Sequence, residues 1–193
     1  LHLDETLQVF ASIYQYDYDG YQDELQQFDP IRGAGANFVS NADGITNTGF
    51  EIELYYAATD RLTLSGNFSY TETEYGEDYF VFTVDDPINP VPVFGTFTQG
   101  FVSAQVTDPS QASDYTVNLK GGPLKGIPEE KATIRVSYEQ DTRFGPLYYL
   151  LSHSYTGDFS ASGIQRPLDR IDSRETTNLN ISWYSQDGNL SLR

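Results

Sequence analysis

Hydrophobic and polar residues alternate strictly along several stretches of the chain. From Thr48 to Tyr56, apolar side chains fill every second position, and Glu or Tyr stands between them. The same period of two begins again at Arg61, Lys131 and Asn178. A side-chain period of two is that of a β-strand with one apolar and one polar face. These regular stretches therefore predict four amphipathic strands.

Three further strands are less regular. The first covers about Glu5 to Asp17, and large residues occupy both of its faces: Leu7, Val9, Ala11 and Ile13 on one, Phe10, Tyr14 and Tyr16 on the other. The stretch from Leu147 to Tyr155 carries Leu and Tyr on both faces, so its orientation stays open. A seventh strand begins within Asn189–Arg193. Because no segment shows a helical period, we predict an all-β fold of about seven antiparallel strands in an up-and-down meander.

Long and short connections alternate between the predicted strands. The long ones are Tyr18–Ile45, Gly76–Glu129 and Gly157–Ser173, and the short ones are Ala58–Asp60, Asp141–Pro146 and Gln186–Gly188. In an antiparallel meander, alternate connections emerge at the same end of the sheet, so all the long loops are expected together. Compact domains seldom contain structureless loops beyond about 12–15 residues. Transmembrane β-barrels combine short periplasmic turns with longer extracellular loops.

The first short connection also predicts a strand register. A three-residue loop at Ala58–Asp60 gives these pairs of like faces: Tyr56 with Leu62, Leu54 with Leu64, Ile52 with Gly66, and Phe50 with Phe68. It also places Glu53 opposite Ser65 and Glu51 opposite Asn67, so no like charges face each other. Three-residue hairpin loops are common, so loop length and alternation agree.

Alternation alone also fits a soluble β-sandwich, but three features favour a membrane barrel. The apolar face of the four regular strands carries no charge, and Lys or Arg at mid-bilayer costs about 2–4 kcal/mol. The strands that begin at Arg61 and Lys131 reach the ~9–11 residues that cross a bilayer. Aromatic residues recur near strand ends, as interfacial girdles require. They are Tyr56, Tyr70, Tyr75, Tyr138, Trp183 and Tyr184.

The composition narrows the functional classes. The chain has 28 acidic and 11 basic side chains and a net charge of −17, which argues against nucleic acid as a partner. The absence of Cys excludes disulfides, thiolate metal sites and a cysteine nucleophile. The mean hydropathy is −0.46, which a barrel tolerates because only every second strand residue faces lipid. No signal peptide begins at Leu1, so we take the chain as mature or as an internal segment.

Candidate chemistry is sparse. His2 and His153 have no motif around them, and no nucleophile-elbow, phosphate-loop, zinc or dinucleotide motif occurs. The acidic runs Asp17–Gly20 and Glu72–Glu74 offer oxygen ligands for calcium but lack the EF-hand spacing, so solvated loops are the simpler interpretation. We therefore predict no catalytic, cofactor-binding or metal-binding residue, and no enzyme.

A composite motif lies between Asn41 and Tyr75. A Gly, an aromatic residue and Glu-x-Glu lead into a turn with Thr-Asp, followed by Leu-Thr-Leu-x-Gly-x-x-x-Tyr. The positions are Gly49, Phe50, Glu51, Glu53, Thr59, Asp60, Leu62, Thr63, Leu64, Gly66 and Tyr70. This order resembles the barrel of TonB-dependent outer-membrane receptors.

Three other stretches resemble the same family in the same order. They are the aromatic- and Asp-rich Val9–Gln22, the loop return Leu119–Tyr138 with Gly126, Pro128, Glu129 and Lys131, and the strand, Asp-Gly turn and next strand of Leu179–Leu192. Family barrels have about 22 strands and a plugged lumen. By that resemblance, residues 1–193 are a partial barrel domain in the C-terminal part of a receptor. The plug domain, the TonB box and the final strands lie outside it.

The resemblance implies a function and partners. The parent protein binds a scarce nutrient, such as a ferric siderophore, a cobalamin or a saccharide, and imports it with energy delivered through TonB. Its surroundings are outer-membrane lipid in a Gram-negative cell. The three long connections are the expected ligand-contacting regions, although no single contact residue is indicated. Glu51 and Glu53 point toward the lumen, where solvent or the plug surrounds them.

Two alternatives stay open at the level of sequence. One is a porin or adhesin barrel without a plug. The other is a secreted β-sandwich that binds carbohydrate.

Overall fold

The computed structural model describes residues 2–3, 6–29, 34–82, 116–163, 167–187 and 190–192. In chain order its strands are β1 His2–Leu3, β2 Leu7–Tyr18, β3 Tyr21–Asp29, β4 Ala34–Ala42, β5 Ile45–Thr59, β6 Leu62–Tyr75, β7 Phe80–Phe82, β8 Thr116–Asn118, β9 Glu130–Gln140, β10 Leu147–Thr156, β11 Phe159–Ser160, β12 Arg170–Ile171, β13 Arg174–Tyr184 and β14 Ser191–Leu192. One 3₁₀ turn covers Pro167–Asp169. In the described ranges, no helix has the length and apolar character needed to span a membrane.

Eight of these strands form one antiparallel sheet in the order β1-β2-β5-β6-β9-β10-β13-β14. The seven strands that the alternation predicts follow one another in this sheet, and β1 is an additional edge strand. The fully paired strands from β2 to β13 have 10 to 15 residues, which is enough to cross a bilayer at a tilt. The predicted all-β meander is confirmed.

The sequences of the long connections had suggested structureless loops, but these connections contain paired strands. Strands β3 and β4 pair with each other over nine residues, and shorter pairs form between β7 and β8 and between β11 and β12. The β3–β4 hairpin is separated from β2 and β5 by Gly20 and Gly44, both with positive φ (67° and 66°). Neither β3 nor β4 alternates apolar and polar residues regularly, which hid these strands in the sequence. The central part of the second connection, 83–115, lies outside the described residues.

The predicted register of the β5–β6 hairpin is wrong by two residues. Tyr56 pairs with Leu64, and Phe50 pairs with Tyr70. A bulge between Ala57 and Thr59 lets Thr59 pair with Leu62 across a tighter turn. The Thr59 hydroxyl oxygen accepts hydrogen bonds from the amides of Arg61 and Leu62 at 3.2 and 3.0 Å, and this fixes the turn. Because a shift of two keeps each side chain on its face, the predicted faces stay correct.

Pairing assigns the faces of the two irregular strands. Leu151 of β10 lies between Val136 and Leu179, so Leu147, Tyr149, Leu151, His153 and Tyr155 share one face of β10. In β2, Val9 pairs with Leu54, and Tyr14 pairs with Gly49. We call the side of the sheet that carries Leu54 and Leu151 the apolar face, and the side that carries Glu51 and Tyr14 the polar face.

The apolar face ends along an oblique line at its loop end, the end of the sheet from which the long connections emerge. Along each strand toward this end, the first charged residues on the apolar face are Asp17 on β2, Glu72 on β6, Glu130 on β9 and Glu175 on β13. The line of paired residues that starts at Glu175 of β13 ends at Ala11 of β2. Asp17 lies six residues beyond Ala11, and β2 and β13 are five strand spacings apart. At about 3.3 Å per residue and 4.8 Å per spacing, this edge slopes by about 40°.

The turn end has a second oblique edge made of aromatic residues. The line of paired residues that starts at Tyr56 of β5 ends at Leu179 of β13, four strand spacings away. The aromatic residue at the turn end of β13 is Trp183, four residues beyond Leu179. Tyr138 of β9 lies between Tyr56 and Trp183. The slope of this edge is about 35° by the same spacings. Transmembrane barrel strands are tilted by about 35–45°, so a horizontal membrane band crosses such a sheet at this angle.

Candidate functional site

A buried cluster lies at the loop end of the sheet, on the side of its polar face. Its members come from the first two long connections and from β5 and β6: Ala42, Ile45, Tyr75, Tyr79, Leu119 and Leu124, with Tyr21 and Ile127 packed against them. The rings of Tyr75 and Tyr79 are stacked, with centroids 5.5 Å apart and planes inclined by 10°. This cluster therefore packs the first two long connections against each other at the loop end of the sheet.

A buried carboxylate joins the first connection to the second. Asp23 of β3 is only 3% exposed, and its carboxylate lies 2.7 Å from the Lys125 ammonium. The Tyr75 hydroxyl donates a hydrogen bond to the other Asp23 oxygen at 3.1 Å. Lys125 also donates to the carbonyl of Glu24. An isolated buried carboxylate is costly, so this pairing accounts for the position of Asp23.

The segment 119–128 is fastened to the end of β6. The Tyr75 amide donates to the carbonyl of Gly122 at 3.0 Å, and the Gly121 amide donates to the carbonyl of Tyr75 at 2.8 Å. The Leu124 amide donates to the Thr73 hydroxyl at 3.0 Å. These bonds hold the returning chain beside the last three residues of β6.

An ion pair stabilises the short β7–β8 pair beside this segment. The Asn118 amide donates to the Asp78 carboxylate at 3.1 Å, and the Lys120 ammonium lies 3.4 Å from it. These two contacts, the Asn118 hydrogen bond first, lower the pKa of Asp78 below its ordinary value. Both side chains are more than half exposed, so the pair fixes geometry more than it adds stability.

A cavity of about 590 Å³ lies between the second and third connections. Its walls come from Thr73, the segment 123–130, the end of β10 with β11, and Arg170. Arg170 is paired with Asp158 at 2.8 Å, and Glu129 and Glu130 complete its charged lining. A volume of this size suits a small molecule, which makes this cavity the main candidate for ligand contact.

A row of tyrosines leads from the loop end down the polar face. Tyr14, Tyr16, Tyr18 and Tyr21 follow one another with ring centroids 5.3, 6.2 and 6.4 Å apart. The Tyr14 ring crosses β5 above Gly49, and its hydroxyl is 2.8 Å from that of Thr71 on β6. A Cβ at Gly49 would lie 2.3 Å from the Tyr70 carbonyl oxygen and 2.5 Å from the Tyr14 hydroxyl, so glycine is required there. The ring faces offer stacking surface for a planar or sugar-like ligand.

The sequence matches a known family over almost its whole length. A family model described as TonB dependent receptor-like, β-barrel, matches residues 2–193. The chain belongs to this family. No curated protein matches the sequence.

Solved structures show the same fold as this receptor barrel segment. The siderophore receptor PiuA from Acinetobacter baumannii matches with a TM-score of 0.57 and 14% identity, over 94% of this chain and 20% of its own. The ferric preacinetobactin receptor BauA from the same organism gives 0.55 and 9%, over 94% and 21%. The ferric yersiniabactin uptake receptor FyuA from Yersinia pestis gives 0.53 and 13%, over 96% and 28%. The segment spans about a fifth to a quarter of the length of these structures.

The receptor segment brings together described parts of all three predicted ligand-contacting connections. Asp23 of the first meets Lys125 of the second, and the third forms the far wall of the cavity. Sequence reasoning missed Asp23 and Lys125, because neither has a local motif. The tyrosine row did have a signal, since Tyr14 and Tyr16 were the residues that broke the regular pattern of the first strand.

The other residues considered from the sequence are not brought into a site. His153 lies on the apolar face of the receptor segment, 2.8 Å from the Thr177 hydroxyl. Among the described residues, no three His, Asp or Glu side chains are grouped as a metal site would require. The acidic runs Asp17–Gly20 and Glu72–Glu74 are among these described residues. Glu51 and Glu53 are on the polar face, opposite Ser69 and Asn67.

Proposed function

We propose that this chain is part of an outer-membrane receptor that binds a scarce nutrient with its loop end and imports it with energy delivered through TonB. The family supports the class, because its members are transport receptors rather than enzymes. The observation that carries the membrane assignment is the oblique apolar band. In a β-sandwich the apolar face packs on a second sheet, and that packing does not require the two edges of the apolar band to slope at the tilt angle of a transmembrane strand.

The band also gives the orientation that we propose. The apolar face contacts lipid and the polar face lines the lumen. The short turns, such as the one at Thr59, face the periplasm, and the long connections face the cell exterior. The described strands form one meandering sheet and three two-stranded sheets rather than two stacked layers, and the family is not one of sandwiches. The carbohydrate-binding sandwich is therefore set aside.

Residues 1–193 are proposed to be one part of a larger barrel domain of the receptor. The sheet ends in the two-residue strands β1 and β14, so its edges have few hydrogen bonds of their own. Further strands would complete them, because a barrel leaves no open edge. A plug and a TonB-contacting region are expected elsewhere in the receptor, and their absence from it would favour the porin or adhesin alternative.

A ferric siderophore is the nutrient that we place first. The three similar structures are, by their titles, a siderophore receptor, a ferric preacinetobactin receptor and a ferric yersiniabactin uptake receptor. The cavity of about 590 Å³ and the tyrosine row offer volume and stacking surface at the loop end. Cobalamin and saccharides stay as second choices.

Uptake by cells tests the transport proposal. Cells with and without the full-length receptor are supplied with radioactive ferric chelates, cobalamin and oligosaccharides. We expect accumulation of a ferric chelate that requires both the receptor and TonB. Accumulation that persists without TonB would instead indicate a passive pore.

A pair of lysine substitutions tests the orientation. Leu54→Lys places a charge in the middle of the apolar band and should destabilise the full-length receptor by about 2–4 kcal/mol in a bilayer. Asn67→Lys, on the polar face opposite Glu53, is the matched control and should change stability little. Equal effects of the two substitutions would contradict the proposed orientation.

A further inference from the structure

A groove of about 600 Å³ crosses the loop-end edge of the apolar band on β2, β5 and β6. Six side chains of the apolar face line it, and they belong to two neighbouring lines of paired residues. The apolar line is Ile13, Phe50 and Tyr70, and the polar line, one step nearer the loop end, is Gln15, Thr48 and Glu72. Tyr14 and Gly49 form the floor between the two lines. We call this feature the edge groove.

The two walls of the edge groove differ. On one side, the Phe50 ring contacts the rings of Phe68 and Tyr70, with centroids 5.7 and 5.8 Å away. On the other side, the Ile13 side chain is 88% exposed. Because burial of apolar surface is favourable, an isoleucine in this position gains from an apolar partner in the groove. The edge groove therefore combines an ordered aromatic wall with an aliphatic wall that the described chain leaves uncovered.

The position of the edge groove determines the form of the molecule that fits it. In the proposed orientation, the apolar line lies in the hydrocarbon region and the polar line in the headgroup region of the outer leaflet. A molecule that fills the groove is therefore apolar at one end and polar at the end that faces the cell exterior. A lipid of the outer leaflet has this form, and it has access to the same face of the barrel.

The polar line selects the headgroup. The Gln15 amide donates to the Asp17 carboxylate at 3.3 Å, and an ionised Glu72 only accepts hydrogen bonds. The strands β2, β5 and β6 contain no Lys or Arg, and the neighbouring charged residues on this face are Asp17, Glu74 and Glu130. Such a rim repels phosphate and favours hydrogen-bond donors without negative charge. The hydroxyl and amide N–H groups of a sugar headgroup meet this requirement.

We infer that the edge groove binds one acyl chain of an outer-leaflet glycolipid, whose sugar hydroxyl or amide groups donate hydrogen bonds to Glu72 and Thr48. This inference rests on the proposed orientation in the outer membrane and goes beyond it, because it distinguishes one fixed lipid from the mobile lipids around the barrel. The edge groove lies on the outside of the wall, so its occupant is independent of the imported nutrient.

Retention of lipid by the full-length receptor tests the edge groove. The receptor is extracted from outer membranes, washed in mild detergent and measured by native mass spectrometry. We expect one glycolipid to remain bound to the unmodified receptor. Ile13→Trp fills the groove and should lower the retained fraction about tenfold, because displacement of about two methylene groups from apolar surface has an effect of that size.

Leu179→Trp is the matched control. Leu179 is 62% exposed on the same face and lies four residues inside Glu175, the first charged residue of its strand, as Ile13 lies four residues inside Asp17. Because Leu179 does not line the edge groove, retention should stay within about twofold of the unmodified receptor. Equal retention by the two variants, or an unmodified receptor that retains no lipid, overturns the inference. So does a lipid-free dimer that Ile13→Trp dissociates, because a second copy would then cover the groove.

Lipids of defined composition test the headgroup. The delipidated receptor is titrated in EDTA with a glucosyl diacylglycerol and with phosphatidylglycerol of the same acyl chains. We expect the glucosyl lipid to bind about fivefold more tightly, and Glu72→Gln to reduce this preference to about twofold, since a charge-assisted hydrogen bond is lost. Glu53→Gln, on the polar face, is the control and should leave the preference unchanged. A preference of the unmodified receptor for phosphatidylglycerol overturns the inference.

Neither lipid measurement depends on transport, so the two proposals fail separately. A receptor that retains the glycolipid but imports no nutrient contradicts the transport function alone. A receptor that imports a ferric chelate while Ile13→Trp and Leu179→Trp retain lipid equally contradicts the edge groove alone.

Discussion

The two ends of the sheet are built in different ways. At the turn end, exposed hydroxyl-capped turns and one exposed ion pair join the strands. At the loop end, Tyr75 and Ile45 are fully buried and a carboxylate is enclosed with its ammonium partner. In the proposed orientation the barrel wall takes lipid as its apolar environment, so side chains need to pack against each other only where connections are ordered in water. Stability should therefore be more sensitive to substitution at the loop end.

Removal of the Tyr75 side chain should have the largest effect on this contrast. Tyr75→Ala empties the centre of the buried cluster and should lower the local opening free energy of the loop end by about 3–5 kcal/mol, as for other large buried aromatics. Hydrogen exchange of the amides of Gly121 and Leu124 in the full-length receptor measures it. Tyr75→Phe, which loses only the hydrogen bond to the Asp23 carboxylate, should cost about 1.5 kcal/mol. A loss confined to the turn end would reverse the comparison.

The buried carboxylate should have the next largest effect. Asp23→Ala leaves Lys125 and the Tyr75 hydroxyl without their shared acceptor, and should cost about 2–3 kcal/mol because hydrogen bonds to a charged group are lost. Faster proteolysis of the β3–β4 hairpin is the readout. Asp19→Ala, an exposed neighbour, serves as the control and should leave the cleavage rate unchanged. Similar rates for the two variants would show that the Asp23 contact does not hold the hairpin.

A substitution in the β5–β6 turn should have a smaller effect on stability. Thr59→Ala removes the acceptor for two amides, but both are exposed to water in the turn, so we expect a loss of about 1 kcal/mol. Urea unfolding of the reconstituted receptor reports it, and Thr59→Ser should restore most of the stability. A loss comparable with that of Tyr75→Ala would remove the difference between the two ends.

The exposed ion pair between neighbouring turns should matter least. Arg61 and Asp141 are 55% and 62% exposed, so a double-mutant cycle of Arg61→Ala and Asp141→Ala should give a coupling of about 0.5 kcal/mol or less. Added salt should reduce the coupling further. A coupling above about 1.5 kcal/mol would show that exposed ion pairs contribute to this end as buried pairs do to the other.

The sequence predicted the wall of the barrel segment better than its loop end. The faces of β5 and β6 follow from the alternation of Phe50, Ile52 and Leu54 with polar residues, because the pleat has a period of two. The register failed by two residues since it depends on the Thr59 hydroxyl, a single local contact that alternation does not report. The Asp23–Lys125 pair joins residues 102 positions apart, which no periodic signal links.

The tyrosine row shows an intermediate case. Tyr14 and Tyr16 were visible in the sequence only as exceptions to an apolar pattern, and the structure gives these exceptions a common face. Gly49 was visible as a motif residue. The reason for glycine there, the close approach of the Tyr70 carbonyl and of the Tyr14 ring, required the pairing of β5 with both β6 and β2. Deviations from the regular strand pattern of β2 therefore pointed to the polar face of the sheet.

The slope of the apolar band separates two kinds of neighbourhood. Ile52 and Glu175 stand on one continuous line of paired residues. In the proposed orientation, however, Ile52 lies in the hydrocarbon interior and Glu175 in the headgroup zone. Immersion thus changes along a ladder of hydrogen bonds as much as along a strand. A spin label placed in turn at paired positions from Ile52 on β5 to Glu175 on β13 should lose access to oxygen and gain access to water from strand to strand. The size of the change per strand measures the slope of the apolar band.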